Sequence, residues 1–379
     1  MKVNQSMYSG QTWKSLSETP GFRTDNAQLV LAFGERHLLE TGDFYGQLRL
    51  TYPMADIIVN STSGEIYLDK VHDDSVIVTA IEFEKTRVRA VQIDIQKYTE
   101  SYQAGETIAQ LLDEPDLAAL FLISDGSWVN GSELTSALNQ CLHRPIPISG
   151  GLAGDGDRFE RTVVGLNQNP AVGKIVGIAF YGAHLKVGHG SMGGWDVFGP
   201  EREVTQSSYN VLYRIDDKPA LDLYKEYLGK YTERLPGAAL LFPLSMRTTA
   251  DSEPLVRTIL TIDEEARSMT FAGEMPEKAL VRFMKANFDR LIDASATAAH
   301  TSLSQLNFAP ELAILISCVG RKLVLGQRTE EEVEVAREVF GKDAVITGFY
   351  SYGEISPLQS NARCELHNQT MTVTVFSEN

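Results

Sequence analysis

Residues 118–155 read AALFLISDGSWVNGSELTSALNQCLHRPIPISGGLAGD and give the clearest indication of the fold. The parts of this stretch recur in the same order in residues 313–354, which read AILISCVGRKLVLGQRTEEEVEVAREVFGKDAVITGFYSYGE. In both stretches a short apolar run leads through a glycine-bearing loop into a helix, and a second apolar run ends in a glycine-rich turn closed by an acid. Short apolar runs bounded by turn residues are typical of buried strands. The repetition predicts a chain built from strand–helix–strand units.

A fainter third copy lies near the start of the chain. Residues 29–33 and 55–59 are its predicted strands, and residues 43–50 are its predicted helix. The tetrapeptide SGEI at residues 63–66 recurs nearly intact as YGEI at residues 352–355. A match this short can arise by chance, but the shared order of elements favours a true repeat.

Three further segments carry local predictions. Thr329 and Glu332 have the spacing of a capping box, which predicts the start of a helix. Residues 182–200, GAHLKVGHGSMGGWDVFGP, hold many glycines and predict a structured loop. After Pro276 the apolar residues recur at helical spacing, which predicts one long helix. These apolar residues are Leu280, Met284, Phe288 and Leu291.

The chain has 379 residues, of which 43% are hydrophobic and 22% are charged. This length suggests two or three folding units, each large enough to bury a core. We assign residues 1–26 to an N-terminal segment, residues 27–215 to a first half and residues 216–379 to a second half. The predicted fold class is α/β in the broad sense, a mixed α+β arrangement of pseudo-repeated strand–helix–strand units with mixed sheets and flanking helices.

The net charge of −16 disfavours nucleic acids and anionic membrane surfaces as partners. The sequence has no dense basic run and no window of about 18 apolar residues that could span a membrane. Its three cysteines, Cys141, Cys318 and Cys364, show no metal-binding spacing, and their odd number fits a reducing compartment. We therefore predict a cytoplasmic protein.

Candidate site residues lie where the predicted strands end. Hydrolase, zinc-protease and P-loop motifs are absent, so the sequence predicts a protein that is not an enzyme. The strand ends supply Gly150, Gly151 and Asp155 in one half, where the glycines let the backbone approach a neighbouring strand or a small ligand. In the other half the predicted ligand-binding residues are Cys318, Arg321, Gly353 and Glu354.

Two of these residues have a specific predicted role. Arg321 could bind a carboxylate through two hydrogen bonds, and Glu354 could receive an amine. The alternative is that Arg321 and Glu354 pair with each other or with solvent.

Several segments resemble the FIST family of bacterial sensory domains. They are residues 190–229, GSMGGWDVFGPEREVTQSSYNVLYRIDDKPALDLYKEYLG, residues 317–357, SCVGRKLVLGQRTEEEVEVAREVFGKDAVITGFYSYGEISP, and CELHNQTMTV at residues 364–373. The GGLAGDG turn at residues 150–156 fits the N-terminal half of the family. The resemblance implies a ligand-sensing protein with an N-terminal and a C-terminal part that regulates a signalling partner in trans, such as a histidine kinase or a cyclic-dinucleotide enzyme.

The resemblance also implies two kinds of ligand. GGWDVFGP at residues 193–200 and LFPLSM at residues 241–246 are similar to a branch of haem proteins that sense nitric oxide, and other members have been proposed to bind amino acids. The first hypothesis is a haem b sensor in which His189 is the iron ligand, with His184 and His367 as alternatives. The second is an amino-acid or small-metabolite sensor that uses Arg321 and Glu354. The third is an uncharacterised enzyme with a catalytic carboxylate.

Overall fold

The computed structural model describes residues 1–235, 237–249, 252, 254–306, 309–357 and 363–378. Its strands are β1 (Lys2–Ser9), β2 (Thr12–Glu18), β3 (Leu29–Gly34), β4 (Asp56–Ser61), β5 (Glu65–Tyr67), β6 (Lys70–His72), β7 (Val76–Glu82), β8 (Arg87–Asp94), β9 (Leu117–Ser124), β10 (Ile148–Leu152), β11 (Val164–Leu166), β12 (Lys174–Tyr181), β13 (Leu185–Met192), β14 (Asp196–Ser208), β15 (Val211–Ile215), β16 (Lys218–Pro219), β17 (Leu244–Arg247), β18 (Leu255–Arg257), β19 (Ile259–Asp263), β20 (Ser268–Phe271), β21 (Leu280–Lys285), β22 (Leu312–Cys318), β23 (Val345–Ser351), β24 (Gly353–Pro357), β25 (Cys364–His367) and β26 (Met371–Glu378). Its α-helices are α1 (Arg36–Thr41), α2 (Phe44–Thr51), α3 (Ser101–Leu112), α4 (Gly131–Cys141), α5 (Ala220–Leu228), α6 (Phe288–Leu303), α7 (Val319–Leu325) and α8 (Thr329–Phe340).

Three units share one topology. In each unit two parallel strands are joined by a helical connection, and a later strand returns antiparallel to the first. The parallel pairs are β3 with β4, β9 with β10 and β22 with β23, and the returning strands are β7, β12 and β26. The predicted mixed α+β fold class and the repeat, including its faint third copy, are confirmed.

The three units exchange strands in a closed cycle. The strand β5, which follows the first unit's parallel pair, joins the third unit's sheet beside β23. In the same way β24 leaves the third unit and pairs with β10, and β11 leaves the second unit and pairs with β4. Each six-stranded sheet is therefore completed by a strand from a neighbouring unit.

One apolar core lies between these three sheets. It contains Phe33 of the first unit, Phe121 of the second and Phe349 of the third. The opposite faces of the sheets are covered by helices, with α2 on the first sheet, α3 and α4 on the second, and α6 and α8 on the third. Because both faces are buried, the first strand of each parallel pair is almost continuously apolar, as in the LAALFLIS sequence of β9.

Residues 196–285 form an additional β-rich module, which we call the inserted module. Its sheet has the order β18-β17-β21-β14-β15-β20-β19, with β16 paired to β15, and α5 packs on the sheet over a separate apolar core. Strands on both sides of residue 215 belong to this sheet, since β15 and β16 pair directly. The inserted module lies at the edge of the three-unit core and contacts the second unit, for example through Asn130 and Glu274.

The prediction of a structured loop over residues 182–200 is wrong. Residues 185–192 of this segment form β13, and residues 196–200 are the beginning of β14. The glycines of β13 serve close packing against α6 rather than a turn. A Cβ atom at Gly188 would lie 2.1 Å from the carbonyl oxygen of Ser302, and a Cβ atom at Gly190 would lie 2.1 Å from that of Ala298. A glycine-rich segment can therefore be a strand where a helix approaches its backbone.

The long helix predicted after Pro276 is also corrected. Residues 280–285 form β21, and α6 begins only at Phe288, with Asn287 as its N-cap. Leu280 and Met284 are four residues apart, and a spacing of four fits a strand as well as a helix. Among the residues described above, no helix is both long and apolar enough to cross a membrane.

Candidate functional site

A cleft of about 490 Å³ lies between the second unit and the inserted module. We call it the aromatic cleft. One wall is formed by residues 126–131, which connect β9 to α4, and the facing wall is formed by the turns of the module around residues 209–210 and 271–274. The cleft thus lies beyond the carboxyl end of a parallel strand, a common position for ligand sites in folds of this type.

Asp125 fixes the loop that forms the first wall. Its carboxylate is fully buried and accepts hydrogen bonds from the backbone N–H groups of Ser127, Trp128 and Gly173 at 2.7, 2.9 and 2.7 Å. Asn130 then caps α4, because its side-chain oxygen accepts from the N–H groups at positions 132 and 133. The loop is held at both ends, so the side chain of Trp128 projects from a rigid support.

Aromatic side chains surround the opening. Trp128 is 56% exposed, Phe159 47% and Tyr209 80%, although large apolar side chains are usually covered. The ring of Phe159 stacks on that of Tyr352. Phe159 and Tyr209 also have positive φ angles of 53° and 51°, which are unusual for aromatic residues. Strained backbone and exposed aromatic rings in one place are typical of binding sites.

The charged groups in the cleft are acidic. Glu160 and Glu274 line it, and none of its described lining residues is Lys, Arg or His. Asn130 donates a hydrogen bond from Nδ2 to Oε1 of Glu274 at 3.1 Å, which links the two walls. Aromatic faces and carboxylates together favour a ligand that is planar and carries a cationic or hydrogen-bond-donating group.

A second link between the core and the inserted module lies below the cleft. Arg257 of β18 donates from Nη1 to the carbonyl oxygen of Leu366 in β25 at 3.2 Å, and from Nε to that of Glu274 at 3.2 Å. A ligand in the aromatic cleft would touch both walls beside these links. The cleft and these links therefore lie side by side between the core and the inserted module.

Five of the predicted ligand-binding residues lie together inside the sheets rather than at the cleft. Gly150 and Gly151 of β10 pair with residues 355 and 354 of β24, which begins at Gly353. Thr370 joins Glu354 to Cys318, because its hydroxyl donates to Oε2 of Glu354 at 2.9 Å while its carbonyl accepts from the Cys318 N–H at 3.1 Å. A Cβ atom at Gly150 would lie 2.0 Å from the Leu122 carbonyl oxygen, so this glycine permits strand contact.

Glu354 is fully buried and has a counterpart in the first unit. Burial raises the pKa of Glu354 to about 8, although hydrogen bonds from Ser351 and Thr370 act in the opposite direction. Glu65 of β5 is buried in the same way, and its pKa is also raised to about 8. Both carboxyl groups are therefore protonated over much of the neutral range.

Arg321 pairs with Glu332 rather than with Glu354 or with solvent. Its Nε and Nη2 atoms donate to Oε2 of Glu332 at 2.9 and 2.7 Å, and both side chains are fully buried. The carbonyl oxygens of Gly193 and Leu291 accept further bonds at 2.6 and 2.7 Å, and the Ser295 hydroxyl and the Gln369 carbonyl accept two longer ones. The predicted capping box is consequently wrong, because Glu332 turns inward to Arg321 and Thr329 donates to the Gly326 carbonyl.

Asp155 lies in a separate ionic cluster. Its carboxylate accepts from Nε of Arg36 at 2.7 Å and from Nη2 of Arg158 at 2.6 Å. Burial alone would raise the pKa of Asp155, but the hydrogen bonds from these two arginines lower it below its ordinary value. The side chain connects the first unit to the turn that follows β10.

The three predicted haem ligands lie on different elements, with His189 in the third sheet, His367 in the second sheet and His184 in a turn. His189 is buried in β13, and since Gly188 and Gly190 face α6, its ring lies on the opposite face of the sheet, toward the central core. His367 is buried in β25, where Nε2 lies 2.8 Å from the Ser356 carbonyl oxygen and burial lowers its pKa to about 4. His184 is exposed in the turn before β13.

These positions do not fit haem ligation. The two buried imidazoles lie within packed sheets, and the aromatic cleft, whose volume suits an organic ligand, offers neither a histidine nor a basic side chain for the haem propionates. Within the part of the chain that the structure describes, no group of three or more His, Cys, Asp and Glu residues is arranged to hold a metal ion.

Sequence reasoning missed the residues that form the aromatic cleft. The available signal was Trp128 in the polar segment DGSWVNGS directly after a predicted buried strand, where an exposed tryptophan is unusual. Tyr209 and Glu274 gave no such signal, because they reach the cleft only through the folding of the inserted module.

The fold is mixed α+β, and the aromatic cleft is its candidate small-ligand site. Residues 28–218 match the FIST N domain and residues 220–357 match the FIST C domain. The chain belongs to the FIST family, whose domains are signal-transduction sensors that bind small ligands. A comparison with functionally curated proteins gives no match.

Proposed function

We propose that the chain senses a planar, mostly apolar small molecule with a cationic or hydrogen-bond-donating group, and that this ligand binds in the aromatic cleft. The observation that supports this proposal most directly is the lining of the cleft. Trp128, Phe159 and Tyr209 supply exposed rings. Glu274 supplies a negative charge, Glu160 supplies one that is paired with Arg36 at 2.9 Å, and the described lining contains no Lys, Arg or His. A volume near 490 Å³ is in the range of small-molecule sites.

The signal would leave through the inserted module. Its hydrogen bonds with the core, from Asn130 to Glu274 and from Arg257 to Leu366, lie beside the cleft, so occupancy of the cleft would favour one position of the module. The acidic surface and the sensory family support a signalling protein as the partner, regulated in trans in the cytoplasm. A histidine kinase or a cyclic-dinucleotide enzyme is the expected class.

A ligand panel tests the site. Wild-type protein is titrated with planar organic cations, neutral aromatic compounds and amino acids, while tryptophan fluorescence and thermal unfolding are followed. We expect organic cations to raise the unfolding temperature and to change Trp128 fluorescence. Trp128→Ala should weaken their binding at least tenfold, and Trp13→Ala, which removes another exposed tryptophan far from the cleft, should leave it unchanged. Equal weakening by both variants would contradict the assignment.

The charge requirement has its own test. Glu274→Gln keeps an oxygen that can accept the Asn130 hydrogen bond but removes the negative charge. We expect weaker binding of cations and unchanged binding of any neutral aromatic ligand. If cation affinity does not change in Glu274→Gln or in Glu160→Gln, the charge argument fails even though the cleft itself binds ligand.

The other hypotheses remain predictions with simple tests. Haem binding rests on the family resemblance, and a Soret absorption band in protein purified after growth with haem would support it. The amino-acid hypothesis assigned ligand binding to Arg321 and Glu354, whose side chains bond to buried protein groups in the structure, so binding of amino acids in the panel would require another site. The sensory character of the family supports a protein that is not an enzyme, and turnover of a metabolite mixture would contradict this.

A further inference from the structure

A second, smaller pocket lies on the other side of the links between core and module. It has a volume of about 210 Å³, and we call it the Arg257 pocket. One wall is the polar face of α4, which presents Ser132, and the other wall is formed by β17 and β18 of the inserted module. Arg363 and Glu365, just before and within β25, complete the rim.

Arg257 is a buried cation with only neutral partners. Arg257 is 3% exposed, and its guanidinium donates to the backbone carbonyl oxygens of Val256, Glu274 and Leu366 at 3.2–3.3 Å. Within the described ranges, no carboxylate lies within 4 Å of its guanidinium nitrogens. A buried guanidinium is costly without a counter-charge. Burial lowers the pKa of Arg257 to about 10, which agrees with this cost.

A second donor in the pocket also lacks a partner. The Ser132 hydroxyl oxygen is buried and makes no hydrogen bond to any described residue, although it belongs to a residue that lines the pocket. Buried hydroxyl groups are nearly always hydrogen-bonded in folded proteins. Ser132 and Arg257 thus border the same small space, one with an unused hydroxyl and the other with a positive charge that has no ion-pair partner within 4 Å.

Neither acidic residue of the pocket forms an ion pair with Arg257 within 4 Å, although the charges of Glu365 and Glu274 raise the pKa of its guanidinium against the effect of burial. Oε1 of Glu274 accepts the hydrogen bond from Asn130 and is therefore directed toward the aromatic cleft. Glu365 is exposed at the rim, and the residues of the described chain that form ion pairs do not include it. Arg363, also exposed at the rim, adds a second positive charge.

We propose that the Arg257 pocket binds a small oxyanion, the carboxylate or phosphate group of a metabolite, with Arg257 as its buried anchor and Ser132 as a further donor. Guanidinium groups recognise both kinds of oxyanion through paired N–H donors. This site goes beyond the proposed sensing of a planar ligand, because its chemistry is opposite in charge. Glu274 and Leu366 border both cavities, so the anion would act as a second effector of the same module contact.

The full chain is titrated calorimetrically with inorganic phosphate, and separately with malonate, in sodium chloride at constant ionic strength. We expect saturable binding of at least one of them, and the one that binds identifies the oxyanion. Arg257→Gln should weaken that binding at least tenfold, and Ser132→Ala should weaken it severalfold. Arg267→Gln, which removes an exposed arginine elsewhere on the module, is the matched control and should have no effect.

Two results would overturn the proposal. One is the absence of binding of both anions to wild-type protein, and the other is equal weakening by Arg267→Gln and Arg257→Gln. If Arg257→Gln does not fold, the variants Ser132→Ala and Arg363→Gln test the site instead, since both change groups that hold no contact between elements. Unchanged anion affinity in both variants would contradict the site. Trp128→Ala should retain anion binding, so failure of the planar-ligand proposal can be told apart from failure of this one.

Discussion

The ring of Phe159 stacks on the ring of Tyr352, with centroids 4.8 Å apart and planes inclined by 17°. The hydroxyl of Tyr352 accepts a hydrogen bond from the N–H of Phe159 at 3.1 Å and donates to the carbonyl oxygen of Gly156 at 3.3 Å. Phe159 belongs to the turn after β10 and Tyr352 to the turn after β23, so this contact joins two of the three units. It also holds Phe159 in its left-handed backbone conformation at the edge of the aromatic cleft.

Substitution of Tyr352 should separate the two parts of this contact. Tyr352→Phe removes the hydroxyl bonds but keeps the ring, and we expect it to lower the free energy of unfolding by about 1 kcal/mol. Tyr352→Leu also removes the stack and should cost about a further 0.5–1.5 kcal/mol. Urea unfolding measures both values. When Phe159 is already replaced by Leu, exchanging Phe for Leu at position 352 should no longer carry this further cost in the free energy of unfolding. If the cost stays the same, the two rings do not interact.

The buried pair of Arg321 and Glu332 should be sensitive to loss of either partner. Arg321→Met leaves an unpaired buried carboxylate, and Glu332→Gln leaves an unpaired buried guanidinium, so each should lower the free energy of unfolding by about 3–5 kcal/mol. The double variant Arg321→Met with Glu332→Leu should recover much of that loss. Arg328→Gln disrupts exposed pairs with Glu331 and Asp289 and should change the free energy of unfolding far less. Equal costs for the buried and exposed arginines would contradict this view.

The raised pKa values of Glu65 and Glu354 make stability depend on pH. In the unfolded chain both carboxyl groups titrate near 4.5, whereas in the folded protein they titrate near 8. Between these values the folded state binds more protons, so the stability that these groups contribute is complete below about pH 4.5 and is lost as the pH rises toward 8. Each group should lower the free energy of unfolding by up to about 1.4 kcal/mol per pH unit in that range.

Glu354→Gln should reduce this slope, because the amide cannot ionise, and Glu65→Gln should do the same in the other unit. Urea unfolding at pH 5, 6, 7 and 8 gives the slopes. Glu338→Gln, at an exposed position of α8, serves as the control and should have the wild-type slope. Parallel pH profiles for wild type and both buried variants would show that these carboxyl groups do not stay protonated in the folded protein.

The close approach of β13 and α6 predicts a strong effect of one methyl group. In Gly190→Ala the new Cβ atom would lie 2.1 Å from the carbonyl oxygen of Ala298, so strand and helix must move apart. We expect a loss of about 1–3 kcal/mol or more in the free energy of unfolding, measured by urea titration. At Gly237 a Cβ atom would meet nothing within 4 Å, so Gly237→Ala should change stability little. Similar losses in both variants would argue against close packing at Gly190.

The sequence allowed the repeated units to be predicted, because buried parallel strands are short, apolar and bounded by turn residues. It did not show which sheet a strand joins. The segments around Glu65 and Glu354 are recognisably alike in sequence, but only the fold shows that each crosses into a neighbouring unit. The local pattern at Thr329 and Glu332 fits a capping box as well as it fits the observed structure. Glu332 instead pairs with Arg321, because the buried guanidinium needs a carboxylate.

The candidate site was less predictable for a related reason. Charged and glycine residues at strand ends were the natural candidates. In the structure Asp155 joins two units through Arg36, whereas Arg321 and Glu354 bond to the buried side chains of Glu332 and Thr370 in the C-terminal region. The aromatic cleft instead uses Trp128, Phe159 and Tyr209 from three separate segments. Long-range contacts of this kind leave no spacing pattern in one sequence.

The cyclic exchange of strands has a consequence for how the chain can be divided. The sheet of the second unit needs β24 and β25 from the C-terminal region, and the sheet of the third unit needs β5 and β13 from the N-terminal region. Neither of the two matched family domains therefore holds a complete set of its own strands. We expect two fragments divided near residue 219 and produced separately to be incompletely folded when each is alone. When mixed, they should regain the native fold as complementary fragments.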